Sequence, residues 1–286
     1  MPFSNLSPMS TPTTLQTPED KNIAQDMIMI SSLLYFDPIG PLPPHWHLVV
    51  PPFYSSLKKG YALTICKNDQ TGAYAVGIRG SVMITTGAGM IDWFNDLNVL
   101  EMTKAPSPYP GKVSQGAWNG HKAITDTIPD FNKYIPAGST VYVTGHSLGG
   151  SLVPLISLVV ADQVPNSIVI PISFAAPSTS DYEFADYFNA RLGSRSKRYW
   201  NTEDFIPFAW SDLSQPPAYI NQFKNDPFLK AVYDIYKNLL NGRLCYVQVA
   251  GSIPLDGSQL LKNAPPTVPG KIGLMHSHAT YLSLVS

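Results

Sequence analysis

The run Val141-Tyr142-Val143-Thr144-Gly145-His146-Ser147-Leu148-Gly149-Gly150 holds the side chain best placed for covalent chemistry. An apolar β-type stretch leads in and an apolar stretch over residues 152–160 leads out, so the pattern predicts strand, sharp turn and helix. Gly145 and Gly149 stand two residues either side of Ser147, where backbones must approach too closely for a Cβ. Ser147 would then project its hydroxyl from a strained corner. The first helical turn beyond it offers unpaired N–H groups and a positive dipole end to any negative charge that develops nearby. Pro154 falls inside that helix and should kink it.

A serine hydroxyl is a weak nucleophile until a base takes its proton, and the base needs a carboxylate to fix its tautomer. The strand, nucleophile and helix pattern is that of an α/β-hydrolase, in which the partners follow in the order serine, acid, histidine. Of six histidines only His276 and His278 lie downstream of Ser147. The side chain of His146, next to the nucleophile, should point away from it. Asp204, in Asn201-Thr202-Glu203-Asp204-Phe205-Ile206-Pro207, follows a strand-like segment, and sites in open sheets form at the carboxyl ends of strands. Asp181 is the second choice for the acid, and the residues alone leave both histidines open as the base.

The elements that must position these groups follow from pattern. A helix over residues 19–35 begins with Thr17-Pro18-Glu19-Asp20, which combines an N-cap, a proline and acids in the first turn. Residues 37–52 are proline-rich and are expected to be a loop over the core; His45-Trp46-His47 lacks the neighbouring ligands of a metal site. Strands are expected at 61–66 and 73–78 as a hairpin opening the sheet, then a helix at 117–134, the strand before Ser147, and a strand at 168–175 with Pro171 at its start. A helix at 181–191, a strand at 197–200, a helix at 226–240, a strand at 244–250, a loop at 265–270 and a last apolar run at 272–285 complete the chain. Alternating strands and helices without an internal repeat predict one α/β domain over 1–286, with a mostly parallel central sheet and helices on both faces.

Composition bounds the partners. With 19 Lys plus Arg against 20 Asp plus Glu, the near-zero net charge supplies no field for nucleic acid. The group Arg191, Arg195, Lys197 and Arg198 is expected to be a solvated connection. Cys66 and Cys245 sit in apolar runs and are expected as free, buried thiols. Neither a signal peptide nor a membrane-spanning stretch is evident, so the expectation is a cytoplasmic protein as written, with secretion open. Gly87-Ala88-Gly89 lacks the lysine and spacing of a phosphate loop. No metal or organic cofactor is implied.

Several separate motifs resemble the class 3 lipases, typified by filamentous-fungal triacylglycerol lipases, from about residue 73 to the end. Arg79-Gly80-Ser81 is similar to that family's oxyanion motif, Asp92-Trp93-Phe94-Asn95-Asp96-Leu97 to its Trp-x-x-Asp-Leu stretch, and Asn201 to Pro207 to its acid motif. His278-Ala279-Thr280-Tyr281 resembles its terminal His-x-x-Tyr, a pattern His276 does not fit. The resemblance implies Asp204 as acid, His278 as base, the backbone N–H groups of Ser81 and Leu148 as oxyanion donors with the Ser81 hydroxyl, and Asp96 as the brace of that hydroxyl. The segments between Ser81 and Asp92 and between Pro207 and Leu244 are longer than in the fungal enzymes, which makes 82–100 and 210–243 candidate lid elements, and the disulfide pattern of the secreted enzymes is missing.

The implied activity is acyl transfer through an acyl-enzyme on Ser147, as in a triacylglycerol lipase acting on an ester at a lipid interface. Ile91, Trp93, Phe94, Leu97 and Leu100 form an amphipathic pattern suited to covering the serine in water and lying transiently on lipid, or to an ordinary core helix. Alternatives are a short-chain carboxylesterase, a phospholipase, an aromatic-acid esterase, or a catalytically silent scaffold of the same fold. Ser81→Ala should lower turnover by about 10²-fold with the fold retained, measured as kcat on a soluble ester; unchanged turnover would remove Ser81 from the oxyanion pocket.

Overall fold

The computed structural model describes residues 17–35, 40–54, 61–80, 98, 101–208, 211, 217–223, 226, 229–230, 233–234, 237–238 and 245–286. Nine strands are formed there: β1 (Trp46–Tyr54), β2 (Ala62–Asn68), β3 (Tyr74–Arg79), β4 (Met102–Lys104), β5 (Lys112–Ser114), β6 (Thr140–His146), β7 (Ile168–Phe174), β8 (Lys197–Asn201) and β9 (Ser252–Leu255). Among the described residues six α-helices accompany them: α1 (Pro18–Leu33), α2 (Gln115–Thr127), α3 (Leu148–Gln163), α4 (Tyr182–Leu192), α5 (Val268–Met275) and α6 (His278–Val285). Seven strands form one sheet in the order β1-β2-β3-β6-β7-β8-β9, while β4 and β5 pair separately. β1, β2 and β3 run antiparallel and every step from β3 to β9 is parallel. This is the expected mostly parallel sheet.

Strand alternation decides which helix covers which face. From β2, β3, β6 and β7, residues Leu63, Ile65, Val76, Ile78, Val141, Val143 and Val169 join Leu152, Ile156 and Phe188 of α3 and α4 in one core. On the opposite face, Cys66, Ala75, Ile172, Phe174 and Tyr199 meet Met27 and Ile30 of α1 and Tyr281 and Val285 of α6. α1 starts as its sequence dictates: the Thr17 hydroxyl accepts from the Asp20 N–H at 3.1 Å and the Asp20 carboxylate reaches back to the Thr17 N–H. Among the described residues no helix is long and apolar enough to cross a membrane.

Several expectations are corrected. Residues 46–54 form β1, an outer strand, where a loop is expected; its ladder is interrupted between Leu48 and Val50 and between Val50 and Phe53, so Pro51 and Pro52 fall at an irregular edge that tolerates missing donors. Pro171 lies within β7 opposite Val143 and not at its start; β8 joins the ladder only from Ile172, which leaves that flank of Pro171 without a β8 partner. The expected strand at 244–250 reduces to a bridge at Val247, and the last strand is β9. Pro129 lies beyond the end of α2, which is shorter than expected. The terminal apolar run is two short helices parted at His276 and Ser277, the first begun by Thr267 as N-cap with Pro269 in its opening turn. Cys66 is buried as expected, but Cys245 is an exposed free thiol. Most of the expected helix at 226–240, and both candidate lid segments in large part, lie outside the described residues.

The junction of β6 and α3 is packed backbone against backbone. A Cβ on Gly145 would stand 2.5 Å from the backbone carbon and oxygen of Gly149, where no side chain could yield. Gly145→Ala should therefore destabilise the protein by at least about 1–3 kcal/mol, seen as a lower urea midpoint. An unchanged midpoint would mean that the backbone there relaxes freely.

Candidate active site

Ser147 sits between β6 and α3 with φ 58° and ψ −125°, a conformation that non-glycine residues seldom adopt. The bend is held from both sides. The Ser147 N–H donates to the Phe174 carbonyl at the end of β7 (2.9 Å), and the Ser147 carbonyl accepts from Ser151 in α3 (3.0 Å). Leu148 opens α3, so its N–H has no acceptor within the helix. The end of β3 closes against this point, since a Cβ on Gly80 would lie 2.4 Å from the Leu148 Cβ. The chain leaving β3 toward Ser81 thus starts beside the Leu148 N–H. Ser81, Ile91, Trp93, Phe94, Asp96 and Leu97 lie outside the described residues.

The serine's partner corrects the sequence expectation. His276 Nε2 lies 2.8 Å from Ser147 Oγ, and His276 Nδ1 lies 2.8 Å from Asp204 Oδ2. His278, expected in that position, occupies the first turn of α6 and has no such contact: its ring stands 3.9 Å from that of His146 and 4.7 Å from that of Tyr35, measured between centroids. The reason is where α5 stops. His276 is the capping residue at its end and Ser277 caps the start of α6, so the histidine facing the serine belongs to the break between helices. The motif's tyrosine is nevertheless at the site, because the Tyr281 hydroxyl donates to Asp204 Oδ2 at 2.8 Å.

Asp204 is wholly buried and its acceptors are occupied. Oδ1 accepts the Ile206 N–H at 3.0 Å while Oδ2 serves both His276 and Tyr281. A buried carboxylate survives only with this kind of satisfaction. Asn201 ties the acid's loop to the histidine's: its N–H donates to the Tyr281 hydroxyl (2.9 Å), its side-chain amide to the Met275 carbonyl (3.0 Å), and its Oδ1 accepts the Glu203 N–H (3.0 Å). Asp181, the other acid considered, is the N-cap of α4 and accepts from the Phe184 N–H. Sequence reasoning did not single out Asn201 and Tyr281 as functional, although each stands inside a motif it had noticed.

His146 packs against the imidazole and the phenol of the site. Its ring lies 4.8 Å from that of His276 and 5.5 Å from that of Tyr281. Its Nε2 and the Nε2 of His278 are both buried without a hydrogen-bond partner among the described residues. Burial pushes the His278 imidazole down to about 3 and holds His146 well below its ordinary value, so both are neutral near pH 7. Burial together with the nearby Asp204 carboxylate raises the Tyr281 phenol well above its usual range, keeping it a donor. Among the described residues no group of three or more His, Cys, Asp or Glu side chains could hold a metal ion.

A strand-to-helix bend carrying a serine, with a histidine and a buried carboxylate behind it and a mostly parallel sheet beneath, is the arrangement of the α/β-hydrolase fold. Comparison agrees: the chain superposes on the crystal structure of M37 lipase with TM-score 0.68 at 20% identity, over 95% of this chain and 94% of that one. It also superposes on a triacylglycerol lipase whose catalytic centre is described as a serine protease triad, with TM-score 0.55 at 20% identity over 68% and 75% of the two chains. These likenesses establish the fold. Residues 75–213, just under half of the chain, match the family model for lipase (class 3). A secreted alkaline triacylglycerol lipase of Penicillium cyclopium is 27% identical over 144 residues, 48% of each chain, so the chain spans about half the length of that curated relative.

Burying neutral histidines links stability to pH. His278, His146 and His121, the last pushed down by burial to about 4, bind protons more readily unfolded than folded. Their contribution is complete above the unfolded value near 6.5 and is lost as pH falls toward the folded values. The melting temperature should drop between pH 7 and 4, each histidine contributing at most about 1.4 kcal/mol per pH unit. His121→Phe should flatten that slope; a parent-like slope in the variant would mean that His121 is not buried in neutral form.

Proposed function

We propose that this chain is a carboxylic-ester hydrolase acting on lipid esters through an acyl-enzyme on Ser147. The observation that carries the reading is the unbroken hydrogen-bonded path from Ser147 Oγ through His276 to Asp204 Oδ2. His276 takes the hydroxyl proton as Ser147 attacks the ester carbonyl, then gives it to the departing alkoxide. Water repeats the exchange, with its proton taken by His276 and the acid released from Ser147. Asp204 keeps the Nδ1 proton on the imidazole and stabilises the imidazolium; Tyr281 and the Ile206 N–H keep Asp204 in place. The Leu148 N–H, at the positive end of α3, and the N–H and hydroxyl of Ser81 braced by Asp96 receive the oxyanion.

The family match over residues 75–213 and the secreted triacylglycerol lipase relative support lipid esters, with triacylglycerol as the leading substrate and secretion as the reading of where it works. The segments 82–100 and 210–243 are the lid elements of this reading. A silent scaffold is the weaker alternative, because such a module has no use for a buried carboxylate aligned on an imidazole and a strained serine.

Labelling with a fluorophosphonate, followed by hydrolysis of a nitrophenyl ester chain-length series and emulsified triacylglycerol, tests the proposal. Ser147→Ala and His276→Ala should each lower kcat by about 10⁴-fold or more, whereas His278→Phe should keep it within about tenfold. Full labelling of His276→Ala beside a dead His278→Phe would reverse the assignment of the base. An unlabelled parent protein would defeat the hydrolase reading itself.

A further inference from the structure

The basic group at residues 191–198 does not behave as one solvated connection. Arg191 pairs with Asp162 at 2.6 Å and Lys197 with Asp20. Arg198 is different. It lies inside β8 with 5% of its surface exposed, its Nε is buried with no hydrogen-bond partner, and no carboxylate pairs with it among the described residues. Strand alternation sends its neighbour Tyr199 to the α1 and α6 face and turns Arg198 toward α3. An isolated guanidinium in such a place is expensive unless something carries the opposite charge. Burial lowers its pKa to about 10, still far above neutrality, so the charge persists.

Arg198 lines a cavity of about 10 Å³ together with Gly150, Ser151, Pro154, Ser173 and Gln248. That is room for one small spherical occupant, too small for sulfate, phosphate or a carboxylic acid. Ser173 is the register partner of Arg198 across β7 and β8, so a hydroxyl and a guanidinium open on one space from adjacent strands. The Gln248 amide is already spent on the carbonyls of Ala176 and Pro207, both 3.1 Å away. The lining supplies one unit of positive charge and no acid.

We propose that Arg198 and Ser173 form an internal site for a single monatomic halide, chloride under natural conditions, beneath the opening turns of α3. The ion offsets the buried guanidinium and accepts hydrogen bonds from both side chains. It sits against Gly150 and Ser151, three and four residues beyond the bend at Ser147, and so stiffens the floor of the candidate active site. A water there would satisfy the donors but leave the charge unbalanced. This inference stands independently of the ester-hydrolase reading.

Thermal melts at constant ionic strength, with sodium chloride or bromide exchanged for the bulky gluconate salt, provide the test. Above the dissociation constant, each tenfold rise in halide should lift the melting temperature by about 2–3 °C. Arg198→Met should melt no lower than the parent in gluconate and should ignore halide, and Ser173→Ala should shift the halide midpoint upward. Crystals grown in bromide should show an anomalous peak against Arg198. Equal melting of the parent in chloride and gluconate, or a bromide crystal with only water in the cavity, would overturn the proposal; both measurements use the parent protein and stand even if Arg198→Met fails to fold.

Discussion

The architecture depends on the distance between two backbones. β6 delivers the chain to Ser147 and α3 takes it away, and the two can be joined by one residue only because the strand and the helix touch at glycines. The strain at Ser147, with its positive φ, is held by hydrogen bonds to β7 on one side and α3 on the other. Strain of this sort costs of order 1–3 kcal/mol and persists only where the surroundings over-determine it. Here they do: β6 lies between β3 and β7 in the sheet, and α3 is apolar nearly all round and buried for most of its length.

Around that fixed point the other groups are brought in by separate segments that hold one another. β8 ends at Asn201, whose amide grips the carbonyl before His276 and whose N–H grips Tyr281, while Tyr281 in turn holds Asp204. Acid and histidine are therefore oriented by a closed ring of hydrogen bonds and do not depend on loop stiffness alone. His146 and His278, neutral and tilted against one another behind the ring, are buried, and their burial ties the fold's stability to pH.

What could be read from the sequence divides along physical lines. The strand, bend and helix at Ser147 were legible because glycine spacing and apolar runs are local properties. So was Asp204 as the carboxylate after a strand. The choice between His276 and His278 was not, because it turns on where α5 ends, and the pattern His-x-x-Tyr located the tyrosine but not the histidine that faces Ser147. β1 was hidden by its prolines, which an interrupted outer strand accommodates. Arg198 looked solvated among its basic neighbours, since only the pairing register of β8 shows which way its side chain turns.

The ring of hydrogen bonds also sets an order of events in the making of the protein. Ser147 and Asp204 are translated well before α5 and α6, yet the imidazole and the phenol that complete their surroundings lie at 276 and 281. A chain emerging amino terminus first can close most of its sheet while the carboxylate still lacks its partners. The hydroxyl and the carboxylate are therefore joined through the imidazole only once α5 and α6 have docked on the sheet.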